Sequence, residues 1–211
     1  SPLDNEKLKE RIQALMDKCG FRSKGIFVMD GSKRSGHGNA YFTGFGSNKR
    51  IVFFDTLQES LEPPEIEAEL AHELGHFKLK HIQKRLLTTF ALSLAALALL
   101  GWLAGETWFY QGLGVSQPSP WMALMLFMLA MPVFTFFLQP LMSLLSRKHE
   151  YEADAYAVRQ SSGTDLIHAL VKMYRENAST LTPDPLYSAF HDSHPPAPVR
   201  ISHISATMGA T

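Results

Sequence analysis

Residues 65–82 read EIEAELAHELGHFKLKHI, and within them His72-Glu73-Leu74-Gly75-His76 spells H-E-x-x-H. Pro63 and Pro64 open the stretch, and Glu65, Glu67 and Glu69 suit the positive end of a helix dipole. The spacing therefore predicts a helix whose core stripe is Ile66, Leu70, Leu74 and Phe77. Four residues are about one helical turn, so His72 and His76 project from one face and can reach one zinc ion. Glu73 sits beside that face, placed to take a proton from the attacking water.

A catalytic zinc takes three protein ligands and keeps one position open. The metzincin pattern needs a glycine three and a histidine six residues after the second histidine; Leu79 and Ile82 stand there, which excludes that class. His81 lies about 140° around a continuous helix from His76 and reads as a surface or interfacial residue. The remaining candidates fall in His149-Glu150-Tyr151-Glu152-Ala153-Asp154, where Glu150 and Asp154 share a helical face and Glu152 points away. One acid can bind the metal while the other holds a ligand histidine's second nitrogen. We assign Glu150 as the ligand and Asp154 as its support. The alternative is a solvated acidic patch neutralised by Arg147 and Lys148. Cys19 is the only cysteine, which excludes an internal disulfide framework and a cysteine-rich metal site, and it reads as structural.

The chain has 211 residues, with acidic and basic residues balanced at 20 each, so no global field points to nucleic acid. Charge placement is more telling. Between Arg85 and Arg147 the only Asp, Glu, Lys, Arg or His is Glu106. Two apolar segments, 86–105 and 121–146, flank a Gly, Gln, Ser and Pro stretch at 111–120, and each is long enough to cross a bilayer. A transmembrane hairpin is expected, against a buried hairpin of a soluble protein that Thr88, Thr89, Ser93 and Gln139 would suit. Pro132 and Pro140 would kink the second helix, which membrane helices tolerate. Lys78, Lys80, Lys84 and Arg85 precede the hairpin and Arg147 and Lys148 follow it, so both outer ends are expected on the cytoplasmic side. The charged opening SPLDNEKLKERIQ lacks the apolar run of a signal peptide.

The rest of the chain reads as α+β, mainly helical. Leu3, Leu8, Ile12, Leu15 and Met16 mark an amphipathic helix over 3–18. Segments 25–30, 40–45 and 49–55 are rich in β-formers and predict a small antiparallel sheet, with a turn at 46–48 and a flexible glycine-rich loop at 31–38. Helix continues over 147–160, resumes over 165–176, and returns briefly around Ile201 after a proline-bearing loop. In domain terms, residues 1–85 and 147–211 form the two parts of a peptidase domain, and 86–146 the inserted hairpin.

GSKRSGHGNAYFTGFGSNKRIVFFDTL, EIEAELAHELGHFKLKHI, SRKHEYEADAYA and HDSHPPAPVRI together resemble, in order, the type I CAAX prenyl endopeptidases, a membrane branch of the gluzincin metallopeptidases. The resemblance implies one zinc ion per chain on His72, His76 and Glu150, with Glu73 as base and Asp154 in support. It also implies that Asn39, on an edge strand, bonds the backbone of an extended substrate, that His194 stabilises the oxyanion, and that Arg200 contacts substrate. The implied partners are a peptide or protein substrate, including prenylated C-termini, and membrane lipid, with no nucleic acid. The implied location is an integral one, in a bacterial inner membrane or the endoplasmic reticulum, with the catalytic side facing the cytoplasm. Family members carry further membrane helices ahead of the matching region, which would make these residues the C-terminal half of a longer protein.

Three other readings fit the same residues. One is a quality-control protease for membrane proteins without prenyl specificity. Another is a non-catalytic scaffold whose zinc is closed off by a fourth ligand from His149, His191 or His194. The third is a soluble gluzincin whose apolar hairpin is covered by partners.

Overall fold

The computed structural model describes residues 1–33, 40–43, 50–176 and 180–210. Asn39 and the turn at 46–48 lie outside the described residues, as does most of the glycine-rich loop. Helix α1 (Glu6–Lys18) begins where the Asn5 side chain accepts a hydrogen bond from the Leu8 amide at 3.1 Å, and it buries the expected Leu8, Ile12, Leu15 and Met16. Strands β1 (Ile26–Met29), β2 (Ala40–Thr43) and β3 (Arg50–Phe54) follow.

The sheet is mixed rather than wholly antiparallel. Its order is β1-β3-β2, so β3 runs parallel to β1 and antiparallel to β2. The reason lies in β3 itself: Ile51 and Phe53 are both 0 % exposed, and the most apolar strand takes the central place that a simple meander would give to β2.

Helix α2 (Asp55–Ser60), which the sequence pattern does not announce, turns the chain into α3 (Pro63–Lys78). Helix α3 is the expected H-E-x-x-H helix. It starts on prolines and a capping box in which the Glu62 amide donates to Glu65 Oε2 at 2.7 Å. Lys172, on α7 (Gly163–Glu176), clamps the same Glu65 oxygen at 2.7 Å. Ile66, Leu70 and Leu74 join α1, the sheet and Leu166 and Leu170 of α7 in one core.

Helix α3 stops short of His81. Lys80 takes a left-handed conformation (φ 59°), and α4 (His81–Leu103) starts afresh in a new direction. After the short α5 (Thr107–Gly112), a single helix α6 of 41 residues (Pro120–Gln160) runs through Pro132 and Pro140 and returns to α3. Gly75 marks the crossing: a Cβ built there would lie 3.0 Å from Ala153 Cα and 3.1 Å from the Ala153 carbonyl oxygen, so only glycine lets the two backbones approach this closely. Helices α8 (Pro185–His191) and α9 (Ala197–Ala210) complete the described fold.

Helices α4 and α6 are long and apolar enough to cross a membrane, and their apolar side chains face outward: Leu87 is 70 % exposed, Leu129 71 % and Phe137 71 %. That exposure argues against a buried soluble hairpin. All three tryptophans, Trp102, Trp108 and Trp121, sit exposed at the loop end. Lys84, Arg85, Arg147 and Lys148 sit at the other. About 26 Å of α4 separates Arg85 from Trp102, close to the thickness of a bilayer core of about 30 Å. Aromatic residues at one interface and cations at the other are the pattern of a membrane-crossing pair.

Candidate active site

The crossing of α3 and α6 brings three donors together. His72 Nε2 and His76 Nε2 are 3.1 Å apart; Glu150 Oε2 lies 3.6 Å from His72 Nε2, and Glu150 Oε1 lies 3.4 Å from His76 Nε2. Two ligands each about 2.1 Å from one tetrahedral ion sit about 3.4 Å apart, so the three separations fit a single zinc-sized cation. Among the described residues the converging set is His72, His76 and Glu150; His149, His191 and His194 stand outside it. Three donors leave a position open, as a catalytic site requires.

Behind this set is a buried electrostatic frame. His72 Nδ1 is 2.8 Å from Asp154 Oδ1, one helical turn along α6 from Glu150. With Nε2 turned to a cation, Nδ1 carries the proton and donates it to Asp154. Arg200 of α9 holds Asp154 by a fork, Nη2 to Oδ1 at 2.6 Å and Nε to Oδ2 at 2.9 Å, and its Nη1 is 3.8 Å from Glu150 Oε2. The Asp154 side chain is 0 % and that of Arg200 9 % exposed. Arg200, expected to contact substrate, has its guanidinium buried behind the donors and paired with Asp154, and it is not among the residues lining the cavity in front of them.

That cavity is about 510 Å³. Its polar lining includes Glu73, His76, Glu150 and His194, with Lys84 and Arg85 also on it, and its apolar lining is Ile82, Met142 and Leu145 from the base of the hairpin. Glu73 is half-buried, and burial pushes its carboxyl up from the ordinary value, a direction that suits a group alternating between base and acid. His194 reaches the site from the loop after α8, its Nδ1 donating to Glu150 Oε2 at 3.0 Å; that bond and the Glu150 charge raise its pKa. The loop is anchored by Arg147, which donates to the carbonyls of Ser188, Ala189 and Asp192 at the C-terminal end of α8. Arg147 thus holds α8 instead of neutralising an acidic patch. Asn39 lies outside the described residues.

His81 differs from the sequence reading. It is 3 % exposed, with Nδ1 3.0 Å from His76 Nδ1 and Nε2 2.9 Å from Glu152 Oε2. A 140° separation holds only in an unbroken helix, and the left-handed residue is a lysine, a type that gives no warning of a break. Glu152 points away from the donors, as its spacing requires, but toward His81.

A family model described as peptidase family M48 matches residues 2–208. CAAX prenyl protease 1 of Saccharomyces cerevisiae is 38% identical over 218 residues, covering 96% of this chain and 48% of that protein. The CAAX prenyl protease 1 homolog of Arabidopsis thaliana is 38% identical over 205 residues, covering 97% and 48%. The human homolog is 33% identical over 235 residues, covering 93% and 50%. The crystal structure of S. mikatae Ste24p matches with a TM-score of 0.88 at 38% identity, over 97% of this chain and 51% of that one. The chain spans about half the length of the curated relatives it matches.

Proposed function

The chain belongs to peptidase family M48, and on that premise we propose that it carries the catalytic centre of a membrane zinc endopeptidase of the CAAX prenyl protease type. The observation that carries the reading is the open set of His72, His76 and Glu150 with Glu73 beside it on the same cavity wall. A zinc ion held by these three residues would supply Lewis-acid polarisation of the scissile carbonyl and an activated water. Glu73 takes the proton of the attacking water and delivers it to the leaving amine. His194, at the cavity wall, donates to the developing oxyanion, and its bond to Glu150 keeps it oriented until substrate arrives. Arg200 and Asp154 hold His72 in the tautomer that leaves Nε2 free for the metal. Asn39, the residue before Ala40 in the sequence, is assigned the bond to the backbone of an extended substrate.

Residues 86–146 insert the hairpin into the membrane, between the two parts of the peptidase domain, 1–85 and 147–211. The outer ends of the hairpin, with their Lys and Arg, face the cytoplasm. The cavity opens at the hairpin's base, where Ile82, Met142 and Leu145 meet the polar wall. A peptide whose terminus carries a lipid fits this placement, since its apolar tail can stay in the bilayer while its backbone reaches Glu73. The test is cleavage of a quenched farnesylated peptide in detergent, with and without a zinc chelator. Cleavage that stops with the chelator and returns with zinc supports the reading. Equal cleavage of the non-prenylated peptide would favour quality control over prenyl processing, and chelator-insensitive cleavage would overturn the zinc mechanism.

A further inference from the structure

His76 has a supporting chain of its own. With Nε2 directed at the metal position, its proton must sit on Nδ1, and the acceptor 3.0 Å away is His81 Nδ1. His81, accepting on Nδ1, carries its own proton on Nε2 and donates it to Glu152 Oε2 at 2.9 Å. Every donor in the chain therefore faces an acceptor, and Lys148 Nζ lies 3.8 Å from Glu152 Oε1 at its end. His81 is buried at 3 % exposure, where an unsatisfied ring nitrogen would be costly.

We propose that His81 and Glu152 are positioning residues that fix the tautomer and ring orientation of His76, as Asp154 and Arg200 do for His72. The arrangement explains why α6 presents three acids at alternate positions: Glu150 toward the metal position, Asp154 toward His72, and Glu152 toward His81. The same side chains, with His149, could be read as a second metal site, since His81, His149 and Glu152 also offer three donor atoms close together. Ring geometry opposes that. His81 and His149 are stacked, centroids 4.1 Å apart and planes 13° apart, so their lone pairs lie in nearly parallel, separate planes and cannot both point at one ion. A metal on His81 Nε2 would also place a proton on His81 Nδ1 against the one on His76.

The proposal rests on His76 binding the metal, and the test separates the two. Apparent zinc affinity is measured in detergent by competition with a chromogenic chelator for the parent chain and for His81→Leu, His81→Gln, Glu152→Ala and the pair His81→Leu/Glu152→Ala. His81→Leu is expected to weaken zinc about 10- to 100-fold. His81→Gln recovers most of this, because its amide oxygen accepts from His76 and its NH2 group donates to Glu152. The double variant loses no more than His81→Leu alone, as links of one chain do. Glu152 is 35 % exposed, so Glu152→Ala gives an independent reading if His81→Leu fails to fold. Unchanged affinity in His81→Leu and in Glu152→Ala, or additive losses with no recovery in His81→Gln, would overturn the relay while leaving the zinc site standing. A second zinc equivalent abolished by His149→Ala would replace it with a metal site, and a parent chain without zinc would overturn both readings.

Discussion

Removal of the Asp154 carboxylate is expected to cost stability and metal affinity by two separable routes. Asp154 is fully buried and is the main counter-charge of Arg200, whose side chain is 9 % exposed. Asp154→Ala strands that guanidinium. Breaking a buried pair by removing one partner costs about 3–5 kcal/mol, and Glu150, 3.8 Å from Arg200 Nη1, offsets part of it, so a loss of about 3 kcal/mol is expected. The second route runs through His72, which loses the acceptor 2.8 Å from Nδ1; zinc affinity should fall about 10- to 100-fold. The double variant Asp154→Leu/Arg200→Met separates the two. It removes the stranded charge and fills the space with apolar groups, so most of the stability returns, yet the orienting acceptor is still missing and zinc affinity stays low. Denaturation in detergent micelles and chelator competition on the same preparations measure both quantities. If zinc affinity recovered along with stability, Asp154 would act on the metal only through the fold. If Asp154→Ala were as stable as the parent, the buried pair would not bear on stability as argued.

Other consequences can be checked separately. Gly75→Ala gains about 1 kcal/mol of helix propensity but drives a methyl against the Ala153 backbone, costing about 1–3 kcal/mol and moving α6 away from α3; zinc affinity in the chelator assay should drop although no ligand is altered. Asp55 accepts from Ser32 Oγ and from the Gly31, Ser32 and Thr56 amides, which hold its carboxyl at about 2, below the ordinary 3.8. A depressed value means a stabilisation present above pH 3.8 and lost as pH falls toward 2. The stability gap between the parent chain and Asp55→Asn should thus be constant above about pH 4 and close toward pH 2 in chemical denaturation; a gap that widened on acidification would reverse the sign. The exposed faces of α4 and α6 predict aggregation on detergent removal and recovery in lipid nanodiscs, measured by light scattering.

What the sequence made legible follows from how local each signal is. The H-E-x-x-H pair, Glu73 and the core stripe of α3 depend on periodicity within one helix, and they were readable without any tertiary information. The hairpin was readable because the bilayer imposes length and composition. The grouping of Glu150 with His72 and His76 needs two segments more than 70 residues apart to meet; the need for a third ligand and the helical spacing of Glu150 and Asp154 suggest that meeting, and the resemblance to known peptidases implies the same set. The pairing of Arg200 with Asp154 was not legible, because the two residues lie on different helices and nothing local in either stretch announces the bond. Periodicity carried across the break at Lys80, where the sequence has neither glycine nor proline, misplaces His81 and so hides its contact with Glu152. Sheet order was equally hidden: the up-down-up path of three strands is compatible with a meander or with β3 in the middle, and only the burial of Ile51 and Phe53 decides.

The most direct measurement is metal content and peptide cleavage on the same preparations of the parent chain and Glu73→Gln in detergent. Glu73→Gln keeps the shape of the cavity wall and the three donors but removes the base. One zinc per chain in both, with cleavage only in the parent, is the expected result. Equal cleavage in the two, or loss of zinc in Glu73→Gln, would contradict a site in which His72, His76 and Glu150 hold the metal and Glu73 moves the proton.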